Sequence, residues 1–170
     1  ALSTAQVCAG CVMTTIYTQR ADVHIRWMIR RDMPEVQAIE NASFDSPWSE
    51  EEFIRSMRNR NCIGMVAETG EKIVGYTIYE LHRNRLEILN LAVHGEHRRS
   101  GVGSSMIAKL YGKLSTQRRT RIDAAVCERN EVAHYWLKAC GFTAVEILRD
   151  HYEEITADAY LFRLTYGEAA

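Results

Sequence analysis

Residues 85–104 read Arg-Leu-Glu-Ile-Leu-Asn-Leu-Ala-Val-His-Gly-Glu-His-Arg-Arg-Ser-Gly-Val-Gly-Ser, and the fold turns on this stretch. Arg85 to Val93 is apolar enough for a central strand covered on both faces. His94 to Ser100 is polar and basic. A long amphipathic helix then opens at Gly101 to Gly103 and carries Met106, Ile107, Leu110, Tyr111 and Leu114 at helical spacing. Glycine lets a backbone approach a ligand closely, and the first helical turn offers free N–H groups at the positive end of its dipole. With Arg98 and Arg99 beside it, this loop suits a pyrophosphate. It is neither the GxxxxGK[ST] nucleotide loop nor the GxGxxG dinucleotide fingerprint.

Upstream of this unit, His24 to Arg30 reads as a first strand with partial alternation. Asp32 is placed to cap a helix through Val36, Ile39, Glu40, Ser43 and Phe44, with Pro34 tolerated in its first turn. Phe44 to Trp48 reads as a loop. Ser49 and Glu52 form a capping box for a second helix carrying Phe53, Ile54 and Met57. Cys62 to Glu68 and Lys72 to Leu81 are strands joined at Thr69-Gly70. Downstream, Arg121 to Cys127 is a strand and Asn130 to Ala139 a helix ended by Gly141. Phe142 to Leu148 and Ala157 to Thr165 are strands joined by an acidic loop. The expected order is β-α-α-β-β-β-α-β-α-β-β, one mixed α/β domain over residues 24–166.

The 170 residues suit one domain with a substantial core. Net charge is −1, so there is no general pull toward nucleic acid or membrane, and a local site must read the substrate. No run approaches the roughly 18 apolar residues of a membrane span. Residues 1–23 read as a poorly ordered tail or upstream extension, with Met13 an alternative start and no secretory signal. Of the five cysteines, Cys8 and Cys11 form an unmatched CxxC. Cys62, Cys127 and Cys140 sit singly in apolar runs, as buried reduced thiols of a cytoplasmic protein do. His82, His94, His97, His134 and His151 show no metal spacing, and no metal is assigned.

Several ordered motifs carry a family resemblance. Arg98-x-x-Gly101-x-Gly103 resembles the Q/R-x-x-G-x-G/A signature of the GNAT acetyltransferases, and Asn90-Leu91-Ala92-Val93 resembles their "NIAV" strand. Asn130-x-x-Ala133 followed by Cys140-Gly141-Phe142 is similar to their "N-x-x-A…GF" segment. Ser46 to Glu50 resembles the "PWSE" of RimI-type N-terminal acetyltransferases, and His151-Tyr152 with Asp158-Ala159 resembles that group's "YY…DA" hairpin. The resemblance runs from about Ile25 to Leu164.

The resemblance implies acetyl-CoA as co-substrate. Leu91, Ala92 and Val93 would pair with the pantetheine arm like an added strand. Arg98, Arg99, Ser100, Gly101, Val102, Gly103 and Ser104 would hold the pyrophosphate, and Asn130 the thioester end, a role compatible with an ordinary helix N-cap. Phe44, Trp48 and Tyr152 would line the acceptor channel. The match fails at two catalytic positions: the RimI glutamate five residues before the asparagine is here Ala125, and the tyrosine five residues before the "GF" phenylalanine is Leu137. Tyr135 lies about 200° round the helix from that position and is a poor substitute.

Glu87 is a replacement base, because histone-acetylating members carry a base glutamate at the same spacing before their own "LAV"; its bland alternative is a strand residue paired with Arg85 or Arg26. Tyr152 is the leading acid, or else a gating residue. Glu153, Glu154 and Asp158 make an acidic loop that would favour a cationic amine. The expected reaction is acetyl transfer to a peptide or protein N-terminus, such as a ribosomal protein's. The alternatives are a small amine, a lysine side chain, or a non-catalytic acyl-CoA-binding sensor.

Overall fold

The computed structural model describes residues 22–152 and 156–167. The expectations for residues 1–21, including the Cys8–Cys11 pair, and for Glu153 and Glu154 lie outside the described residues. The elements are β1 (His24–Trp27), α1 (Met33–Ser43), α2 (Glu50–Arg58), β2 (Cys62–Thr69), β3 (Lys72–Leu81), β4 (Arg85–Val93), α3 (Val102–Tyr111), β5 (Arg121–Cys127), α4 (Glu131–Ala139), β6 (Thr143–Tyr152) and β7 (Ala157–Thr165). The order is the expected one, a mixed α/β domain with one seven-stranded sheet arranged β1-β2-β3-β4-β5-β7-β6. Every neighbouring pair is antiparallel except β4 and β5.

The helices divide between the two faces. Val36 and Ile39 of α1 and Phe53 of α2 pack with Val66, Tyr76, Ile78 and Ala92 on one side. Ile107 and Leu110 of α3 and Leu137 of α4 pack with Leu86, Ile122, Phe162 and Leu164 on the other. β4 lies between the two layers, with Leu86, Asn90 and Ala92 buried and Leu89 exposed. Ser49 and Glu52 form the expected capping box at the start of α2.

Three local expectations change. β1 ends at Trp27, and a 3-10 turn over Arg30–Asp32 follows. Asp32 makes no side-chain cap to α1. It instead accepts two bonds from the Arg26 guanidinium (2.7 and 2.9 Å) and one from the Ile29 backbone N–H (2.8 Å). A cation at hydrogen-bond distance outcompetes a neutral helix terminus. Thirdly, β6 continues to Tyr152, so Arg149 to Tyr152 belong to a hairpin arm rather than a loop. Arg149 pairs with Asp158 (2.5 Å), and the Asp158 carboxylate also accepts the Asp150 backbone N–H (2.9 Å). The cross-strand pairing extends the ladder, and Asp158, which the sequence reading put forward as an attractant for a cationic amine, is already neutralised by Arg149.

The second glycine of the loop has a packing reason. Gly103 is buried in α3, and a Cβ there would lie 2.8 Å from Cζ2 of Trp136 on α4. The absence of a side chain lets the two helices close over one another; close approach to a ligand is not needed to explain it.

Two outcomes test these assignments. The Arg26 guanidinium holds the Asp32 carboxyl below its ordinary value of 3.8. A depressed carboxyl adds stability above its unfolded pKa and loses it as pH falls through the folded one. At pH 7, Asp32→Asn should lower the unfolding free energy by about 2 kcal/mol. That deficit should shrink as pH drops below about 4, read by denaturant titration at each pH. Gly103→Ala should cost about 1–3 kcal/mol through overpacking against Trp136, a drop of roughly 3–10 °C in Tm. An unchanged melting curve would mean that Trp136 moves aside freely.

Candidate active site

β4 and β5 pair over four residues only, Arg85–Ile88 against Arg121–Ala124. Beyond that point β4 runs on to Val93 paired with β3, and β5 runs on to Cys127 paired with β7. The two parallel strands therefore part, and the β4 edge from Leu89 onward faces no strand. An irregularity sits where they part: Ile78 pairs with Asn90 while Tyr79 pairs with Ile88, so Leu89 is an extra residue, a β-bulge. Unpaired edge groups in the middle of a sheet are a template for an extended ligand. Leu91, Ala92 and Val93 lie along this edge.

The glycine loop closes one end of the opening. Gly101 has φ 89°, a left-handed conformation that favours glycine, and supplies no side-chain cap to α3. Gly101 thus adds no side-chain acceptor to the first turn of α3, the end of a helix whose backbone N–H groups favour an anion. Val102 and Ser104 turn their side chains inward: Val102 is buried, and Ser104 Oγ lies 3.8 Å from Cys140 Sγ. Only their backbones can face a ligand. Arg99 and Ser100 are exposed. Arg98 is exposed but engaged, donating from Nε to the Val93 carbonyl (3.1 Å) and from Nη2 to Ser43 Oγ (3.0 Å). It ties the end of β4 to the end of α1. Asn130 caps α4, its Oδ1 accepting the Ala133 N–H (3.1 Å).

Ala125 sits on β5 opposite Leu161, and Leu137 is 2% exposed in the core, so neither position has a group that can move a proton. Tyr135 is 72% exposed on α4. Tyr152 is half-buried at the end of β6, beside Cys127 at the end of β5. Burial and the neighbouring Cys127 thiol push its phenol above the ordinary value of 10. It stays protonated at neutral pH.

Glu87 lies one pair before the strands part, opposite Asp123 on β5 and Glu80 on β3. Its carboxylate is 3.0 Å from Arg85 Nη2 and 2.9 Å from His82 Nε2. Arg26, the other partner considered, is committed to Asp32 and Glu68. Next to Glu87, the buried Asp123 takes both nitrogens of Arg163 (2.8 and 2.9 Å).

Buried between α1 and strands β3 and β4 is a group that sequence periodicity had read only as one more helix position. Glu40 is 1% exposed. It accepts the Trp48 backbone N–H (2.6 Å), the Asn90 side-chain amide (3.1 Å) and the buried Tyr76 hydroxyl. Burial, with Glu40 beside it, keeps the Tyr76 phenol protonated far above its usual range. A Glu in an apolar-spaced helix is the one sequence signal that could have pointed here. Phe44 and Trp48 are half-buried against the same cluster, and the Trp48 ring meets Phe53 edge-on at 5.4 Å.

The 3-10 turn Gly95–His97 brings His94, Glu96 and His97 within 4.8 Å of one another, a convergence that their spacing did not suggest.

Similarity to known proteins agrees with this geometry. Residues 33–142 match the Acetyltransferase (GNAT) family. The chain is 24% identical over 121 residues to the [ribosomal protein bS18]-alanine N-acetyltransferase of Escherichia coli, covering 71% of this chain and 81% of that one. The crystal structure of the ribosomal-protein-S18-alanine N-acetyltransferase from Escherichia coli superposes with TM-score 0.75 at 21% identity, covering 87% of this chain and 96% of that one. Arabidopsis thaliana Naa50 in complex with the bisubstrate analogue CoA-Ac-MVNAL gives TM-score 0.71 at 18% identity, covering 86% and 100%. At such identities the structural likeness speaks for the fold, whereas the family match spans most of the described residues. With the parted strands and the glycine-led helix, it shows that the chain belongs to the GNAT family of N-acetyltransferases.

Proposed function

We propose that this enzyme transfers acetyl from acetyl-CoA to the α-amine of a peptide or protein N-terminus, as its relatives named for alanine N-acetylation of a ribosomal protein do, and that it works in the cytoplasm. The observation that carries this reading is the opening between β4 and β5, flanked by the Trp48 loop on one side and Tyr152 on the other. Acetyl-CoA would enter along Leu91, Ala92 and Val93, with its pyrophosphate at the backbone of Gly101 to Ser104 and beside Arg99, and with Asn130 toward the thioester end. Arg98 joins it by releasing Ser43. The acceptor would enter past Phe44, Trp48 and Tyr152.

The chemistry favours an α-amine. Freeing its lone pair at pH 7 costs roughly 1 kcal/mol, against about 4.6 for a lysine, from reference pKa values of about 7.8 and 10.4. With Ala125 in place of a β5 carboxylate, the α-amine is the acceptor that a distant base can serve. Glu87, 32% exposed at the side chain, is that base and acts through a water. Tyr152 holds its proton, gives it to the departing thiolate and regains one from solvent, while the amine proton leaves through Glu87. The lysine, small-amine and sensor readings rest on no feature of the site.

A coupled CoA-release assay across N-terminal peptides, lysine peptides and small amines should show the highest kcat/KM for N-terminal peptides. Turnover confined to small amines would overturn the reading. Glu87→Gln should lower kcat by about 10²–10⁴, the usual worth of general-base assistance, and leave acetyl-CoA affinity unchanged. The deficit should narrow above pH of about 8, where the amine is already neutral. Coincident pH–rate profiles for wild type and variant would make Glu87 a structural residue of the Arg85–His82 cluster.

A further inference from the structure

Among the described residues, Asp32, Glu40 and Asp123 are buried acidic groups, and Asp32 and Asp123 each pair with an arginine, whereas Glu40 is surrounded by uncharged donors. Its three donors come from three separate parts of the chain: Trp48 in the α1–α2 loop, Tyr76 in β3, and Asn90 in β4, next to the bulge residue Leu89. Among the described residues no Lys or Arg pairs with it. A carboxyl buried without a cation costs free energy unless donors surround it, so a purely structural position would be served as well by an apolar side chain.

The surroundings show what the donors secure. Among the described residues, segment 45–48 is tethered by two side-chain bonds, both to the Trp48 backbone and both from α1. Glu40 takes the Trp48 N–H at 2.6 Å, and Gln37 Nε2 donates to the Trp48 carbonyl at 2.5 Å. On the other side, three groups hold Asn90: Glu40 at its side-chain NH₂, the Tyr76 hydroxyl at Oδ1 (3.2 Å) and Thr77 Oγ1 at its carbonyl (3.2 Å). Asn90 is the first residue past the bulge, on the strand edge that faces the opening. One carboxylate thus bonds directly to the wall on which the acceptor would rest and to the strand along which the acyl donor would lie.

We infer that Glu40 is a positioning residue that sets the distance between the acceptor loop and the bulged strand, so that amine and thioester meet in register. It touches neither reactant and moves no proton. This rests on the reading of Phe44 to Trp48 as the acceptor wall. Correct placement to within an ångström or so carries a large part of a two-substrate rate, which is where such a tether acts.

The test compares Glu40→Ala, Glu40→Gln and Gln37→Ala, with separate KM values for acceptor and acetyl-CoA, and amide hydrogen exchange at Trp48. Glu40→Ala should raise the acceptor KM about tenfold or more and lower kcat, while the acetyl-CoA KM stays within about twofold. Exchange at the Trp48 amide should quicken. Glu40→Gln should recover most of the loss: its amide oxygen can take the Trp48 and Asn90 N–H groups, and its NH₂ can donate to the Tyr76 oxygen. Should Glu40→Ala fail to fold, Gln37→Ala decides, because it frees only the Trp48 carbonyl and should raise the acceptor KM in the same direction. An unchanged acceptor KM in whichever variant decides, an equal rise in both KM values, or a Gln variant as impaired as the Ala variant overturns the inference. If the wild type turns over some other amine and no N-terminal peptide, the proposed acceptor falls, and the same KM comparison on that amine, with exchange at Trp48, still judges the tether.

Discussion

The molecule depends on a pairing that stops. β4 and β5 are the sheet's single parallel pair, and they share only Arg85–Ile88 and Arg121–Ala124 before diverging. Each strand has another partner to follow, β3 for β4 and β7 for β5, so the sheet survives the parting without losing either strand. The bulge at Leu89 turns the β4 edge at that point, as bulges do where they re-aim a strand beside a site. Everything the enzyme needs is then arranged around one gap.

The two sides of the gap are built by different physics. The side proposed for the acyl donor is mostly backbone: an open strand edge, a left-handed glycine and the start of a helix. Side chains there do structural work. Val102, Ser104 and Gly103 fit α3 against its neighbours, and Arg98 clasps Ser43 and Val93. The acceptor side is made of side chains. Trp48 leans on Phe53, Glu40 gathers donors from three segments, and Tyr152 reaches from β6 to the end of β5. A backbone site keeps its cofactor through many sequence changes, whereas a side-chain site can change its acceptor.

The two departures from the RimI-type pattern fall outside the strand edge and the helix start. Position 125 carries a methyl group and position 137 a core leucine, yet the gap and the helix start are intact. The groups proposed in their place stand elsewhere, Glu87 on β4 and Tyr152 at the end of β6. Glu87 belongs to a charged band with His82, Arg85 and Asp123 on the part of the sheet where β4 and β5 are paired. Tyr152 remains a proton donor because burial disfavours its charged form.

Local order was legible in the sequence because it rests on local rules. Lys72–Leu81, Arg85–Val93, Arg121–Cys127 and Ala157–Thr165 follow directly from apolar runs bounded by turn residues, and Ser49 with Glu52 marks the start of α2. The glycine loop was legible as a motif, though the motif could not say that Gly103 answers to Trp136 or that Arg98 answers to Ser43. Asp32 looked like a cap until Arg26 was near it, and Asp158 looked like a free charge until Arg149 was. In the one-dimensional pattern only its place among the apolar-spaced positions of α1 sets Glu40 apart from other helix carboxylates. Its partners lie 8, 36 and 50 residues away, and only packing α1 across β3 and β4 brings them together. Periodicity and capping determine elements because they act within a few residues. Only tertiary structure decides what a buried polar group does, because burial forces it to take whichever partners the fold delivers.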